Sequence, residues 1–143
     1  MTGVQTCALP IFDSFKALFE ISYKFRFVSL GFAYLVREFD EIKVTTLQNF
    51  ENRKELLQKV AAFLDTNGYL RAEEVLGENA SKIHNLLLLC NFWIADAQLF
   101  YKGTEEDKVD YYLMMFYNAA RPSLTESGIK LFQSPIMENR IMA

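Results

Sequence analysis

Residues 83–101, IHNLLLLCNFWIADAQLFY, constrain this chain more than any other stretch. Wound into a helix, they are apolar on nearly every side. A helix with one apolar stripe is satisfied by one core, whereas a helix apolar all round must be covered all round. The chain has 143 residues, enough for one domain but with little mass to wrap such a helix. We expect one side to pack on its own domain and the other on a second copy of the chain. The stretch is also long enough to cross a bilayer. His84, Asn85, Asn91, Asp96 and Gln98 interrupt it, and an acid at mid-bilayer depth is costly. No membrane span is expected.

Its residues sort into two stripes at helical spacing. Leu86, Leu89, Cys90, Trp93, Ala97 and Phe100 are uniformly apolar and are expected in the core. His84, Leu88, Asn91, Ala95 and Gln98 mix small and polar side chains. Such a stripe suits a helix–helix seam, where small residues allow close approach and polar ones fix register. It equally suits a pocket wall. Gly103 ends this helix, and Thr104 followed by Glu105, Glu106 and Asp107 starts the next, a capping hydroxyl with acids at the positive helix end. That next helix, over residues 109–120, again has two stripes. Val109, Tyr112, Leu113, Phe116 and Ala120 face the core; Tyr111, Met114, Met115 and Asn118 form a second face. Two adjacent helices with a surplus face, taken from each of two chains, make a four-helix interface.

Upstream, Asp13 can cap a helix over residues 13–24, and residues 27–39 form a second helical run. Gly31 inside that run costs about 1 kcal/mol relative to Ala, which marks a bend or a close helix contact. Nine aromatics fall between Phe12 and Phe39. They fill a core or line a cavity for an apolar ligand. Residues 40–67 read as one long amphipathic helix, with Leu47, Phe50, Leu57, Ala61 and Leu64 as its buried stripe and Val60 and Phe63 beside it. Asn67-Gly68 closes it, because Gly accepts the left-handed position after a helix, and Tyr69 and Leu70 supply the closing contact. A polar connector follows. Pro122 ends the penultimate helix, and Ser123-Leu124-Thr125-Glu126 matches a capping box opening a last helix through residue 132. There is no strand signal. The fold class expected is all-α, an antiparallel bundle of about six helices.

Several function classes are excluded early. The net charge is −3, and holding nucleic acid needs a basic surface. The two cysteines are far apart in sequence and the only histidine is His84, so neither a disulfide framework nor a zinc site is signalled. A reducing cytoplasm is expected. No nucleophile–base spacing and no Gly-rich phosphate loop occurs. Cys90, within LLLLCNFW, reads as a buried inert thiol, and Asp40-Glu41 and Glu105–Asp107 read as solvated helix starts. No catalytic residue, metal or cofactor is expected, and the chain is not expected to be an enzyme.

The first eleven residues stand apart. MTGVQTCALPI has no helical or strand period and resembles the conceptual translation of a common sequencing-adaptor oligonucleotide over residues 2–11. Such segments are set aside in fold reasoning. The domain organisation expected is residues 1–11 as a disordered artefact, 12–134 as the helical domain and 135–143 as a frayed tail. On this reading the natural chain extended further upstream of Phe12.

Four stretches carry a family resemblance: SYKFRFVSLGFAYLVREFDEI, FENRKELLQKVAAFLDTNGYLRAE, LLLLCNFWIADAQ and MMFYNAARPSLTESGIKLF. In that order they resemble the C-terminal domain of TetR-family transcriptional regulators. The resemblance implies a bacterial homodimer whose C-terminal domain pairs through its last long helices and holds a small, apolar effector. It also implies operator DNA bound through an N-terminal helix-turn-helix, which is absent here, so this chain is not expected to bind DNA itself. The family's effector sites share no motif, so candidate pocket residues come from stripe geometry: Phe19, Tyr23, Phe27, Tyr34, Phe50, His84, Leu87 and Trp93. Candidate dimer residues are Leu88, Asn91, Ala95, Gln98, Tyr111, Met114, Met115 and Asn118. The alternative is a stand-alone helical carrier of a hydrophobic small molecule.

Overall fold

The computed structural model describes residues 5–132, with side chains described from Asp13 onward. Seven α-helices occupy this range: α1 Gln5–Lys24, α2 Arg26–Leu30, α3 Phe32–Glu38, α4 Asp40–Thr66, α5 Glu78–Phe100, α6 Lys108–Ala120 and α7 Glu126–Phe132. A single 3-10 turn, Arg121–Ser123, joins the last two. No strand is formed among the described residues, in agreement with the all-α expectation. The seventh helix arises at Gly31, where the run expected over residues 27–39 breaks into α2 and α3. Gly31 sits at φ −90° and ψ 3°, off the helical value, and the main-chain bonds resume on either side of it. The bend expected there is present.

The helix expected from Asp13 begins eight residues earlier, at Gln5. Residues 5–11 therefore have a helical backbone continuous with the expected helix. A foreign peptide fused in frame to a helix can prolong that helix, so conformation does not bear on its origin. Met1–Val4 and the expected frayed tail lie outside the described residues.

The long helix α4 ends as its sequence dictates. Gly68 takes a left-handed φ of +73°, and the Tyr69 N–H reaches back to the Leu64 carbonyl at 2.8 Å, closing orphan carbonyls at the terminus. The segment after it docks on the start of α7. Leu70 and Leu124 form an antiparallel bridge, the Arg71 N–H bonds the Ser123 carbonyl at 2.8 Å, and the Thr125 N–H bonds the Tyr69 carbonyl at 2.9 Å. Thr125, rather than the expected Ser123, caps α7. Its Oγ1 accepts from the Gly128 N–H at 3.2 Å and donates to the Gly68 carbonyl at 3.0 Å. A Cβ on Gly128 would lie 2.3 Å from the Tyr69 carbonyl oxygen, so only glycine fits. The Asn-Gly-Tyr-Leu and Leu-Thr-Glu-Ser-Gly stretches thus form two halves of one joint.

The core lies where α1, α4, α5, α6 and α7 meet. Leu87, Trp93, Tyr112 and Leu124 are its most deeply buried large side chains. Trp93 of α5 is its hub, 5.3 Å from the Phe19 ring and 5.2 Å from the Tyr112 ring, while Phe15 meets Phe116 at 4.8 Å. A fully buried side chain of this size contributes on the order of 3 kcal/mol. Lys16 of α1 also pairs with Asp110 of α6 at 3.4 Å. By length and composition α5 is one helix capable of crossing a membrane; here it is the core helix of the bundle.

Candidate functional site: an apolar cavity and an uncovered helix face

Leu57, Val60, Ala61 and Leu64 recur at helical spacing and give α4 one apolar wall. Ile83 and Leu86 of α5 face it, Leu113, Phe116 and Tyr117 of α6 form the third side, and Phe15 and Phe132 close the ends. Together they enclose a cavity of about 90 Å³. Its lining is almost wholly aliphatic and aromatic; polar side chains enter only at Asn79, Lys82 and Ser123. Lys82 is neutralised by Glu78 at 2.5 Å, and that bond holds the Glu78 carboxyl below its usual range. Burial pushes the Tyr117 phenol up.

A second, smaller cavity of about 30 Å³ lies between α1, α4 and α5. Phe19, Leu87 and Trp93 line it with Arg53, Cys90 and Ser22, and Phe15 and Leu57 separate it from the first. Burial pushes the Cys90 thiol up to about 12, which keeps it a protonated, unreactive thiol. Among the described residues no group of His, Cys, Asp and Glu is placed to hold a metal.

The structure brings together only part of the pocket expected from the sequence. Phe19, Leu87 and Trp93 line the smaller cavity. Tyr23 and Phe50 pack against the core but line neither cavity. Phe27, Tyr34 and His84 line neither cavity: all three are exposed, and α2 and α3 bury no side chain. The cavity's principal walls were legible as buried stripes on α4 and α6. A stripe that lines a hollow has the same period as one that fills a core, so spacing does not separate them.

The surplus face of α5 exists but is rotated by about one residue from the expected seam. Leu88, Phe92, Ala95 and Leu99, spaced four, three and four, run along it. Leu88 is 42% exposed, Phe92 49% and Leu99 74%. Phe92 and Leu99 were missed, although their heptad-like spacing was readable. Asn91 turns inward instead, its Oδ1 accepting from Arg53 of α4. Gln98 is exposed and Ala95 half-buried. Leu47 and Phe100, expected in the core, are exposed, since no helix lies over them. On α6 the expected division holds. Tyr112, Leu113 and Phe116 are buried, Tyr111, Met115 and Asn118 are exposed, and Met114 is half-buried at the edge.

Fold and cavity together define a class, an all-α bundle with an apolar hollow and unpaired apolar faces on two consecutive helices. The family model for TetR, the bacterial transcriptional repressors, matches residues 5–132, and the chain belongs to that family. Searches of curated proteins and of solved structures each return no match.

Proposed function

We propose that this chain is the effector-binding and homodimerisation part of a TetR-type repressor, resident in the cytoplasm. The observation that carries the reading is the apolar cavity of about 90 Å³ lined by five helices in a member of a repressor family. An apolar cavity of this kind binds small apolar molecules. DNA recognition is assigned to a helix-turn-helix head outside this chain, in keeping with the acidic charge here. The pairing surface is assigned to Leu88, Phe92, Ala95 and Leu99 of α5 with Tyr111, Met115 and Asn118 of α6. Apolar stripes at seam spacing on two adjacent helices support that assignment.

Three measurements test this. Thermal unfolding with toluene or cyclohexane should rise with probe concentration, and Ala61→Phe, which fills the cavity, should abolish the rise; flat curves for the unsubstituted chain would sink the effector site. Light scattering should give a dimer at micromolar concentration, converted to a monomer by Phe92→Glu with Leu99→Glu. A monomer before substitution removes the pairing claim. The genomic reading frame upstream of Phe12 should encode a basic three-helix unit.

A further inference from the structure

The smaller cavity carries a polar feature that the apolar reading does not use. Arg53 of α4 lines it and is half-buried. Among the described residues no carboxylate pairs with it: the ion pairs in the bundle run from Lys16, Arg37, Lys54, Lys82 and Lys108. Its described hydrogen bond goes to the amide oxygen of Asn91. That bond fixes the amide, because the other orientation would set two donors against each other. It leaves Asn91 Nδ2 enclosed with no acceptor. A guanidinium with spare N–H groups therefore lines the cavity together with the Ser22 hydroxyl, while the Asn91 amide that holds it lies outside the lining. Half-buried charge without a counter-ion is costly, and an enclosed donor without an acceptor adds to that cost.

The charge deficit has one remedy, an acceptor bearing negative charge. A carboxylate fits best, since its two oxygens match the planar fork of a guanidinium and leave a lone pair for the neighbouring Ser22 hydroxyl. The surroundings are apolar, with Phe19, Leu87 and Trp93 in the wall. Phe15 and Leu57 line both cavities, so the charged end and the larger apolar hollow share these two side chains.

We propose that the effector is a monocarboxylic acid with an apolar body, its carboxylate held by Arg53 with the Ser22 hydroxyl beside it and its hydrocarbon passing Phe15 and Leu57 into the larger cavity. This rests on the reading of the larger cavity as the effector site and supplies its ligand's chemical class. A rotamer change of Phe15 or Leu57 would join the two hollows, and the ligand would then couple α1, α4 and α5 through one molecule.

The test uses the whole chain with hexanoate and hexanol, which share a chain and differ in the head. Hexanoate should bind at least about tenfold tighter than hexanol, the usual worth of a charge-assisted hydrogen bond. Arg53→Gln should remove that advantage and bring hexanoate down to or below the affinity of hexanol. Ala61→Phe should weaken both. Should Arg53→Gln fail to fold, the salt dependence of the unsubstituted chain decides, since added chloride should weaken hexanoate and spare hexanol. Equal affinity for the two probes, or hexanoate binding indifferent to both Arg53→Gln and salt, overturns the carboxylate site while leaving the apolar effector cavity standing. Failure of both probes overturns the two readings together.

Discussion

Residues 20–56 and residues 87–117 are both dense in rings and aliphatic side chains, yet the first stretch has no buried residue and the second has eight. In the first, Phe25, Phe27, Val28, Leu30, Tyr34 and Phe39 all stand open to solvent. In the second, Trp93 and Tyr112 are 1% exposed. Composition does not explain the contrast; element length and position do. The helices α2 and α3 have five and seven residues, too short to be stable without a tertiary partner. By contrast α5 runs for 23 residues and is flanked by α4 and α6. An apolar sequence supplies material for a core, and the packing of long helices decides which part of it is used.

The comparison breaks most readily at its buried end. Trp93→Ala should cost about 3–5 kcal/mol in denaturant unfolding, as other large-to-small core changes do; a loss below about 1 kcal/mol would mean that the hub is not shared between α1 and α6. Gly128→Ala should cost about 1–3 kcal/mol, because its Cβ would meet the Tyr69 carbonyl at 2.3 Å. Main chain cannot swing aside as a side-chain tip can. A neutral effect would show that the joint between the end of α4 and the start of α7 is looser than its hydrogen bonds suggest.

Tyr112 sharpens the contrast through pH. Its hydroxyl donates to Asp96 at 2.5 Å, and burial first, then that bond, raises its phenol above the ordinary tyrosine range. A raised pKa means that the folded chain holds the proton more tightly than the unfolded one. The stabilisation is therefore complete below about pH 10, the unfolded value, and is lost as pH rises beyond it. Tyr112→Phe should cost about 1 kcal/mol at neutral pH and make stability fall less steeply above pH 10; Tyr117, also raised, accounts for part of the remaining slope. The smallest effect belongs to the open region. Tyr34→Ala should change stability by less than about 0.5 kcal/mol, and the amides of α2 and α3 should exchange with solvent long before those of α5. A loss of 2 kcal/mol for Tyr34→Ala would mean that this surface is covered in solution.

Much of this fold was readable beforehand for identifiable reasons. Asn67-Gly68 stops α4 because a left-handed residue is needed there, and glycine provides it at no steric cost. The inner face of α6 was readable because Tyr112, Leu113 and Phe116 keep helical period. The failures share one origin. Phe27, Tyr34, Leu47 and Phe100 were read as interior or pocket-lining from apolar stripes at helical spacing, and a stripe carries no information on which helix lies opposite. Asn91 was read as a seam residue because polar groups at seam spacing fix register; the partner it found, Arg53, lies 38 positions away in the chain and no local pattern announces it.

The chain's own residues determined that it is helical, where α4 and α6 end, which face of α6 goes inward and which family it resembles, since these follow from backbone conformation and from repeats within a few turns. Only the tertiary arrangement decided that stripes on α4, α5 and α6 line one hollow, that the open face of α5 runs through Phe92 and Leu99, and that a guanidinium without a paired carboxylate lines the smaller cavity sharing Phe15 and Leu57 with it. Local sequence sets the conformation of each helix; the contacts that make a site join residues that only the packed chain brings within reach.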